Sequence, residues 1–242
     1  MTDPDLDRAL RAALAEPETR VRPVDLPDGR RFWLKRVERL AGRMRLQKGD
    51  PARSFAAERE GMRDLQAQGL PVAGLAAEGP GWILLPDAGP VLPQVVADAG
   101  GDAAGKLRAM AAAGQALAEL HWAGMAHGRP AVRDICWDGC AARFIDLERL
   151  RRARRGGWWQ AVDLLVLAQS AFTRWPEDDR WLAASFAAYR GAGPEGAVRR
   201  AVWLARGLAP LGWLAKAVLW LRPRSKELRA LGLVLPWLRR QG

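Results

Sequence analysis

The sequence is poor in the residues that build cysteine-based metal sites and disulfide frameworks. Its 242 residues include two cysteines and two histidines. Cys136 and Cys140 lie four positions apart and could pair across a hairpin, but a metal site would need more ligands than this neighbourhood offers. We expect free, reduced thiols, as in a cytosolic chain. The cysteines therefore indicate a reducing compartment, and they argue against a cysteine-based metal site.

We also expect no secretory signal in the sequence, and its acidic residues are too few to neutralise its basic residues. Residues 2–20 are charged throughout, so we expect no signal peptide. Lys and Arg number 38 against 27 Asp and Glu, which gives a net charge of +11. Such a field attracts nucleic acid, anionic lipid or phosphorylated substrates without choosing between them. No nucleic-acid-binding motif is recognisable, so that class is disfavoured.

Both histidines lie in one stretch, residues 120–148, which reads LHWAGMAHGRPAVRDICWDGCAARFIDLE. Apolar residues at three- and four-residue steps predict a helix that begins near Asp102 and ends at Gly124. A loop follows, and then two short strands joined by a tight turn at 137–139. The second strand ends at Asp146, where a carboxylate can face a cleft.

This layout resembles the catalytic core of the protein-kinase-like fold, and most closely the small bacterial kinases of the lipopolysaccharide-core and sugar-kinase type. In that fold a helix ends in LH-x-x-G, a loop reads H-x-D-x-x-x-x-N, and a hairpin ends in a metal-binding Asp. His127 matches the loop histidine, Asp146 matches the metal-binding Asp, and Asp134 falls on the Asn position. Arg129 stands where the catalytic Asp is expected. An alternative alignment of Arg133-Asp134 with the His-Arg-Asp motif is disfavoured, because Asp134 and Asp146 are too close for base-to-metal spacing.

Two predicted strands precede this core, at residues 20–26 and 31–37. The resemblance implies a strand lysine that holds nucleotide phosphates and pairs with a glutamate on the next helix. Lys35 is the match for the lysine. On the helix predicted from about Arg53, we choose Glu58 as its partner over Glu60.

A glycine-rich phosphate loop is missing from the start of the chain. Kinases use such loops to bring backbone N–H groups close to phosphates. Gly29 is the only glycine in the first forty residues, and it lies in the turn that leads to Lys35. The resemblance therefore implies a shortened N-lobe.

The segments after Glu148 are strongly basic. Residues 149–155 carry five arginines, which suit a phosphorylated or carboxylated acceptor or form a solvated loop. A helix should follow from Trp158, and the resemblance implies that its Asp163 holds the backbone of the catalytic loop. Another helix should open at residues 176–177.

The tail from residue 199 carries ten Lys or Arg residues and a single acid, interleaved with Trp and Leu. Arg206, Pro210 and Lys216 argue against a membrane span over residues 201–221. Two alternatives remain for the tail: helices of the core, or docking in the membrane interface.

We therefore predict an α+β, two-lobed, kinase-like fold. A small, shortened β-rich N-lobe spans residues 1–88, and a mostly helical C-lobe spans residues 89–242. The resemblance implies that Lys35 and Asp146 face each other across a cleft between the sheet and the helical lobe.

Two functions follow from the resemblance. The first is an atypical ATP- and Mg²⁺-dependent phosphotransferase acting on a lipopolysaccharide or other envelope glycolipid or sugar at the cytoplasmic membrane face. The second is a pseudokinase scaffold that binds a protein partner or a nucleotide. The expected site residues are the loop group His127, Arg129 and Asp134, the nucleotide pair Lys35 and Glu58, and the metal ligands Asp134 and Asp146.

Overall fold

A computed structural model describes residues 3–37, 50–210 and 225–241 of the chain. The chain divides into two compact units. Unit 1 comprises Met1–Ala88 and Asp146–Glu148, and unit 2 comprises Gly89–Ile145 and Arg149–Gly242.

Among its described residues, unit 1 contains a four-stranded antiparallel sheet and two helices. The helices are α1 (Pro4–Ala15) and α2 (Pro51–Ala67), and the strands are β1 (Val21–Asp25), β2 (Arg31–Arg36), β3 (Ala77–Gly79) and β4 (Trp82–Pro86). The strand order is β1-β2-β4-β3. Asp3 caps α1 by accepting hydrogen bonds from two backbone N–H groups of its first turn, and Pro4 follows with a φ angle suited to a helix start.

One face of this sheet packs against α1. Phe32 and Leu34 of β2 join Leu10 and Ala13 of α1 in a single apolar cluster. Side chains alternate between the two faces of a strand, so Lys35 points to the opposite face. The cluster on one side thus fixes the direction of the lysine on the other.

The described part of unit 2 is mainly helical. The helices in these residues are α3 (Leu92–Ala97), α4 (Ala103–Trp122), α5 (Trp158–Arg174), α6 (Arg180–Ala192), α7 (Ala197–Gly207) and α8 (Lys226–Arg239). Its strands are β5 (Met125–Ala126), β6 (Ile135–Trp137), β7 (Ala142–Phe144) and β8 (Arg151–Arg152), with a 3-10 turn at Val132–Asp134. β5 pairs with β8, and β6 pairs with β7. The predicted α+β class is confirmed, with a small antiparallel sheet in unit 1 and a mainly helical unit 2 among the described residues.

The sequence predicted correctly where α4 ends but not where α6 begins. Gly124 ends α4 with a φ of +74°, a left-handed conformation that favours glycine. The prediction that a helix opens at residues 176–177 is wrong, because α6 begins at Arg180. The Asp178 carboxylate accepts hydrogen bonds from the backbone N–H and Nε of Arg180, which stabilises a turn in place of a helix.

Close packing of α4 against α6 depends on Gly114. A Cβ atom at Gly114 would lie 2.0 Å from the carbonyl oxygen of Ser185. The Ser185 hydroxyl in turn donates a hydrogen bond to the Met110 carbonyl oxygen at 2.6 Å. The two helix backbones therefore approach closely at this crossing.

The C-terminal helix α8 belongs to the core of unit 2. Its buried face comprises Ala230, Val234, Leu235, Trp237 and Leu238. The Trp237 ring packs edge-on against Phe172 and Phe186. For α8 the core alternative therefore holds, while residues 211–224 of the tail lie outside the described residues. Within the described segments, none of the helices has the length and apolar character needed to cross a bilayer.

Candidate active site

A buried lysine–glutamate pair lies on the face of the sheet opposite α1. Lys35 Nζ donates to both Glu58 carboxylate oxygens at 2.6 Å. The Lys35 side chain is 10% exposed and that of Glu58 is 0% exposed. Glu58 shares the buried stripe of α2 with Phe55 and Met62, at helical steps of three and four residues. Glu60, the alternative partner, is exposed.

Two further acids lie beside this pair within unit 1. Asp146 and Glu148 each place a carboxylate oxygen within 4.8 Å of the other and of Glu58. Glu148 accepts a hydrogen bond from Arg20 Nη2 at 2.9 Å. Unit 1 therefore brings together Lys35 and three carboxylates, including the Asp146 that the sequence placed in the site.

The electrostatics of the cluster favour a bound cation. Burial raises the pKa of Glu58, the Lys35 charge and hydrogen bonds oppose that rise, and the neighbouring Asp146 and Glu148 charges add to it. Three carboxylates at this spacing repel one another, and a cation would relieve that repulsion.

The donor set fits the Mg²⁺ that the kinase resemblance implies. Carboxylate oxygens are the hard ligands that Mg²⁺ prefers. Both Glu58 oxygens are engaged by Lys35, so Asp146 and Glu148 are the residues of the cluster better placed to hold an ion. Asp134, the other predicted ligand, belongs to unit 2. Its sharing of a metal with Asp146 stays a prediction.

In unit 2, Asp163 holds the loop that begins at His127. Asp163 is fully buried, and its carboxylate accepts the backbone N–H of His127 at 2.6 Å and of Gly128 at 2.8 Å. Gly128 has a φ of +86°, and a Cβ atom there would lie 2.3 Å from the Arg149 carbonyl oxygen. A side chain at position 128 is thus excluded by both conformation and space.

A second histidine completes this buried network. His121 Nε2 lies 3.2 Å from Asp163 Oδ2, and His121 Nδ1 lies 2.6 Å from the Tyr189 hydroxyl. A carboxylate only accepts, so Nε2–H donates to Asp163 and the neutral ring accepts the Tyr189 O–H at Nδ1. Burial lowers the pKa of His121 despite the Asp163 charge, and burial likewise raises the pKa of Tyr189.

The loop itself carries an arginine beside its acid. Arg129 Nη2 lies 3.7 Å from Asp134 Oδ2, and Arg133 Nε lies 3.8 Å from Asp134 Oδ1. His127 is 1% exposed, and its ring packs against Phe144 at a centroid distance of 4.6 Å. The carboxylate of Asp134 thus lies between two guanidinium groups.

Sequence reasoning missed two members of these clusters. Glu148 was not assigned to the site, although it lies two residues beyond Asp146. Tyr189 gave no signal, because it lies 68 residues from His121 and only the packing of α6 against α4 joins them.

Comparison with known proteins gives distant similarities. No family model matches the sequence. An uncharacterized protein of Haemophilus influenzae is 32% identical over 143 residues, which cover 59% of this chain and 59% of that protein. The chain thus matches less than two thirds of that relative.

Among solved structures, the chain is similar to WaaP in complex with acyl carrier protein. The identity is 18%, the TM-score is 0.43, and the match covers 88% of this chain and 87% of that one. It is also similar to the apoenzyme of macrolide 2'-phosphotransferase MphH from Brachybacterium faecium. Here the identity is 15%, the TM-score is 0.48, and the match covers 97% of this chain and 98% of that one.

Proposed function

We propose that this chain is an ATP- and Mg²⁺-dependent phosphotransferase. Its acceptor is a lipopolysaccharide or another envelope glycolipid or sugar, at the cytoplasmic face of the membrane. The observation that carries the proposal is the buried Lys35–Glu58 pair with Asp146 beside it in unit 1. Burying an ion pair adds little stability over apolar packing, so its presence next to further acids favours a functional role.

The residues divide the work by their chemistry. Lys35, oriented by Glu58, binds phosphate oxygens of the nucleotide. Asp146 and Glu148 would hold the metal ion, which would supply charge neutralisation for a bound nucleotide. Transfer of a phosphoryl group needs mainly positioning and electrostatic stabilisation, so few covalent steps fall to the protein.

The loop of unit 2 requires an unusual assignment. Arg129 is permanently charged and cannot accept a proton. Asp134 is the carboxylate of this loop that can accept the proton of an acceptor hydroxyl, while Arg129 binds an anionic group of the acceptor. His127 acts as a positioning residue, because its ring is buried against Phe144.

The second candidate is a pseudokinase scaffold. Arg129 at the position of the catalytic Asp and the absence of a glycine-rich loop before Lys35 favour it. Such a protein would bind a nucleotide or a protein partner and transfer nothing.

Thermal denaturation with and without Mg²⁺-ATP tests the nucleotide site. Ligand at about a hundredfold its Kd stabilises by about 2.7 kcal/mol, or roughly 5–10 °C for a chain of this size. We expect this shift in the wild type and in the control Asp64→Ala, which removes an exposed acid of α2. We expect its loss in Asp146→Ala. No shift in the wild type would contradict the nucleotide role.

Phosphate transfer separates the two candidates. An enzyme should transfer labelled phosphate from ATP to a lipid extract, and Asp134→Ala should abolish the transfer. A thermal shift without transfer in the wild type supports the scaffold.

A further inference from the structure

Four tryptophans of unit 2 are exposed in a way that the core does not require. Trp122, Trp158, Trp159 and Trp203 are 47%, 50%, 51% and 60% exposed. Among the described residues they account for all exposed large hydrophobics except Val21. Trp is a costly side chain to leave in water, and clustered exposed apolar surface marks an interaction site.

Side-chain contacts join these tryptophans to three arginines. Arg151 lies over the Trp159 ring at 4.2 Å, Arg155 over the Trp122 ring at 5.8 Å, and Arg200 over the Trp158 ring at 5.7 Å. The rings of Trp158 and Trp203 pack edge-on at 5.1 Å. We call these four tryptophans and three arginines the tryptophan–arginine patch.

Hydrogen bonds hold the arginines of the patch in place. Arg155 Nε donates to the Trp122 carbonyl oxygen at 2.6 Å, and Arg200 Nη1 donates to the Gly156 carbonyl oxygen at 2.6 Å. The Trp122 indole N–H donates to the Ala192 carbonyl oxygen at 2.7 Å. The patch is therefore built on α4, α5 and α7 and on the β8 segment.

The charge of the patch is predominantly positive, although the exposed Glu119 of α4 lies three residues before Trp122. Residues 149–162 contain five arginines and no acid, and α7 contains three arginines and no acid. The partner must therefore be anionic and must also accept indole rings. Trp at the headgroup level with Arg reaching to phosphates is the composition that peripheral membrane surfaces use.

We infer that the tryptophan–arginine patch docks the protein on an anionic lipid membrane. A nucleic acid would bind by stacking bases on ring faces, but a guanidinium group already lies over one face of each of Trp159, Trp158 and Trp122. The exposed parts of the indole rings can insert among lipid headgroups. The purpose of this docking rests on the proposed function, because a glycolipid acceptor lies in the plane of the membrane.

Vesicle co-sedimentation of the full chain tests the inference. We expect binding to vesicles of 70% phosphatidylcholine and 30% phosphatidylglycerol, weaker binding at high salt, and little binding to pure phosphatidylcholine. Each arginine near an anionic surface contributes about fivefold to partitioning, so Arg151→Gln, Arg155→Gln and Arg200→Gln together should weaken binding on the order of 100-fold.

A matched control and a second variant keep the test decisive. Three exposed arginines of unit 1, Arg8, Arg11 and Arg53, can be changed to Gln with the same loss of net charge. This control should bind almost as the wild type does. A variant with Trp158→Ala, Trp159→Ala and Trp203→Ala should lose at least tenfold in binding and lose the blue shift of tryptophan emission on vesicles.

The outcomes separate docking from catalysis. The inference is overturned if either patch variant still binds vesicles as the wild type does. It is also overturned if the wild type binds neutral vesicles as well as anionic ones, or binds no vesicles at all. So does tighter binding of single-stranded RNA or an acidic protein that is lost in the same variants. Vesicle docking without an Mg²⁺-ATP thermal shift would keep the inference and refute the proposed function, and the reverse result would do the opposite.

Discussion

Breaking the Lys35–Glu58 pair is the sharpest perturbation of the candidate site. Lys35→Met leaves the fully buried Glu58 carboxylate without the ammonium that donates to both of its oxygens at 2.6 Å. Removing one partner of a buried ion pair costs about 3–5 kcal/mol of unfolding free energy. Replacing both partners, as Lys35→Met with Glu58→Met, should restore stability to within about 1–2 kcal/mol of the wild type, because no buried charge is left alone.

The measurement is a double-mutant cycle by urea denaturation at pH 7.5, with equal m-values required for all variants. The matched control is the exposed pair of Arg63 with Glu78, which also links α2 to the sheet of unit 1 at 2.6 Å. Arg63→Met should cost less than about 1 kcal/mol. Single changes of Lys35 and Glu58 that cost no more than the control, and add without coupling, would refute the reasoning.

The pH dependence of Lys35→Met gives an independent check. Burial already raises the pKa of Glu58 above 4.5, and Lys35 opposes that rise. Without Lys35 the pKa should rise further. A carboxyl with a raised pKa in the folded state stabilises that state at low pH, and the stabilisation is lost as pH rises through the raised pKa. The deficit of the variant should therefore be smaller at pH 5 than at pH 8.

Three further predictions concern unit 2. Burial lowers the pKa of His121 below 6.5, so the folded state binds fewer protons than the unfolded state. The free energy of unfolding should therefore fall by up to about 1.4 kcal/mol per pH unit as the pH drops below 6.5. An unfolding free energy that does not change between pH 7.5 and 5.5 would contradict the neutral histidine. Asp163→Asn should cost about 2–4 kcal/mol of unfolding free energy, because the amide nitrogen that replaces one carboxylate oxygen cannot accept a hydrogen bond from His127 or Gly128. Hydrogen exchange should speed up at one of these two backbone N–H groups; unchanged exchange at both would argue against the loop-holding role of Asp163. Gly114→Ala should cost at least about 2 kcal/mol of unfolding free energy, because the new Cβ would lie 2.0 Å from the Ser185 carbonyl oxygen. The control Gly191→Ala has open space around it in α6 and should be neutral or stabilising by about 0.5–1 kcal/mol. Equal effects of the two changes in thermal denaturation would contradict the close crossing of α4 and α6.

Local sequence determined most of the elements. Gly124 and the apolar steps before it specified the end of α4, because only glycine adopts a left-handed turn at little cost. Alternation along β2 specified that Lys35 faces away from Phe32 and Leu34, because side chains alternate across a strand. No sequence pattern indicated the hydrogen bonds that the Asp178 carboxylate accepts from Arg180. These bonds stabilise a turn, so α6 begins at Arg180 and not at residues 176–177.

Tertiary structure decided what the side chains contact. Glu58 and Glu60 differ by two residues on the same helix, and only the docking of α2 on the sheet buries the first and exposes the second. Tyr189 reaches His121 because α6 packs on α4, a contact between residues far apart in sequence. The exposure of Trp158 and the burial of Trp237 follow from which helix faces meet, since two tryptophans of the same chemistry differ only in the neighbours that packing gives them.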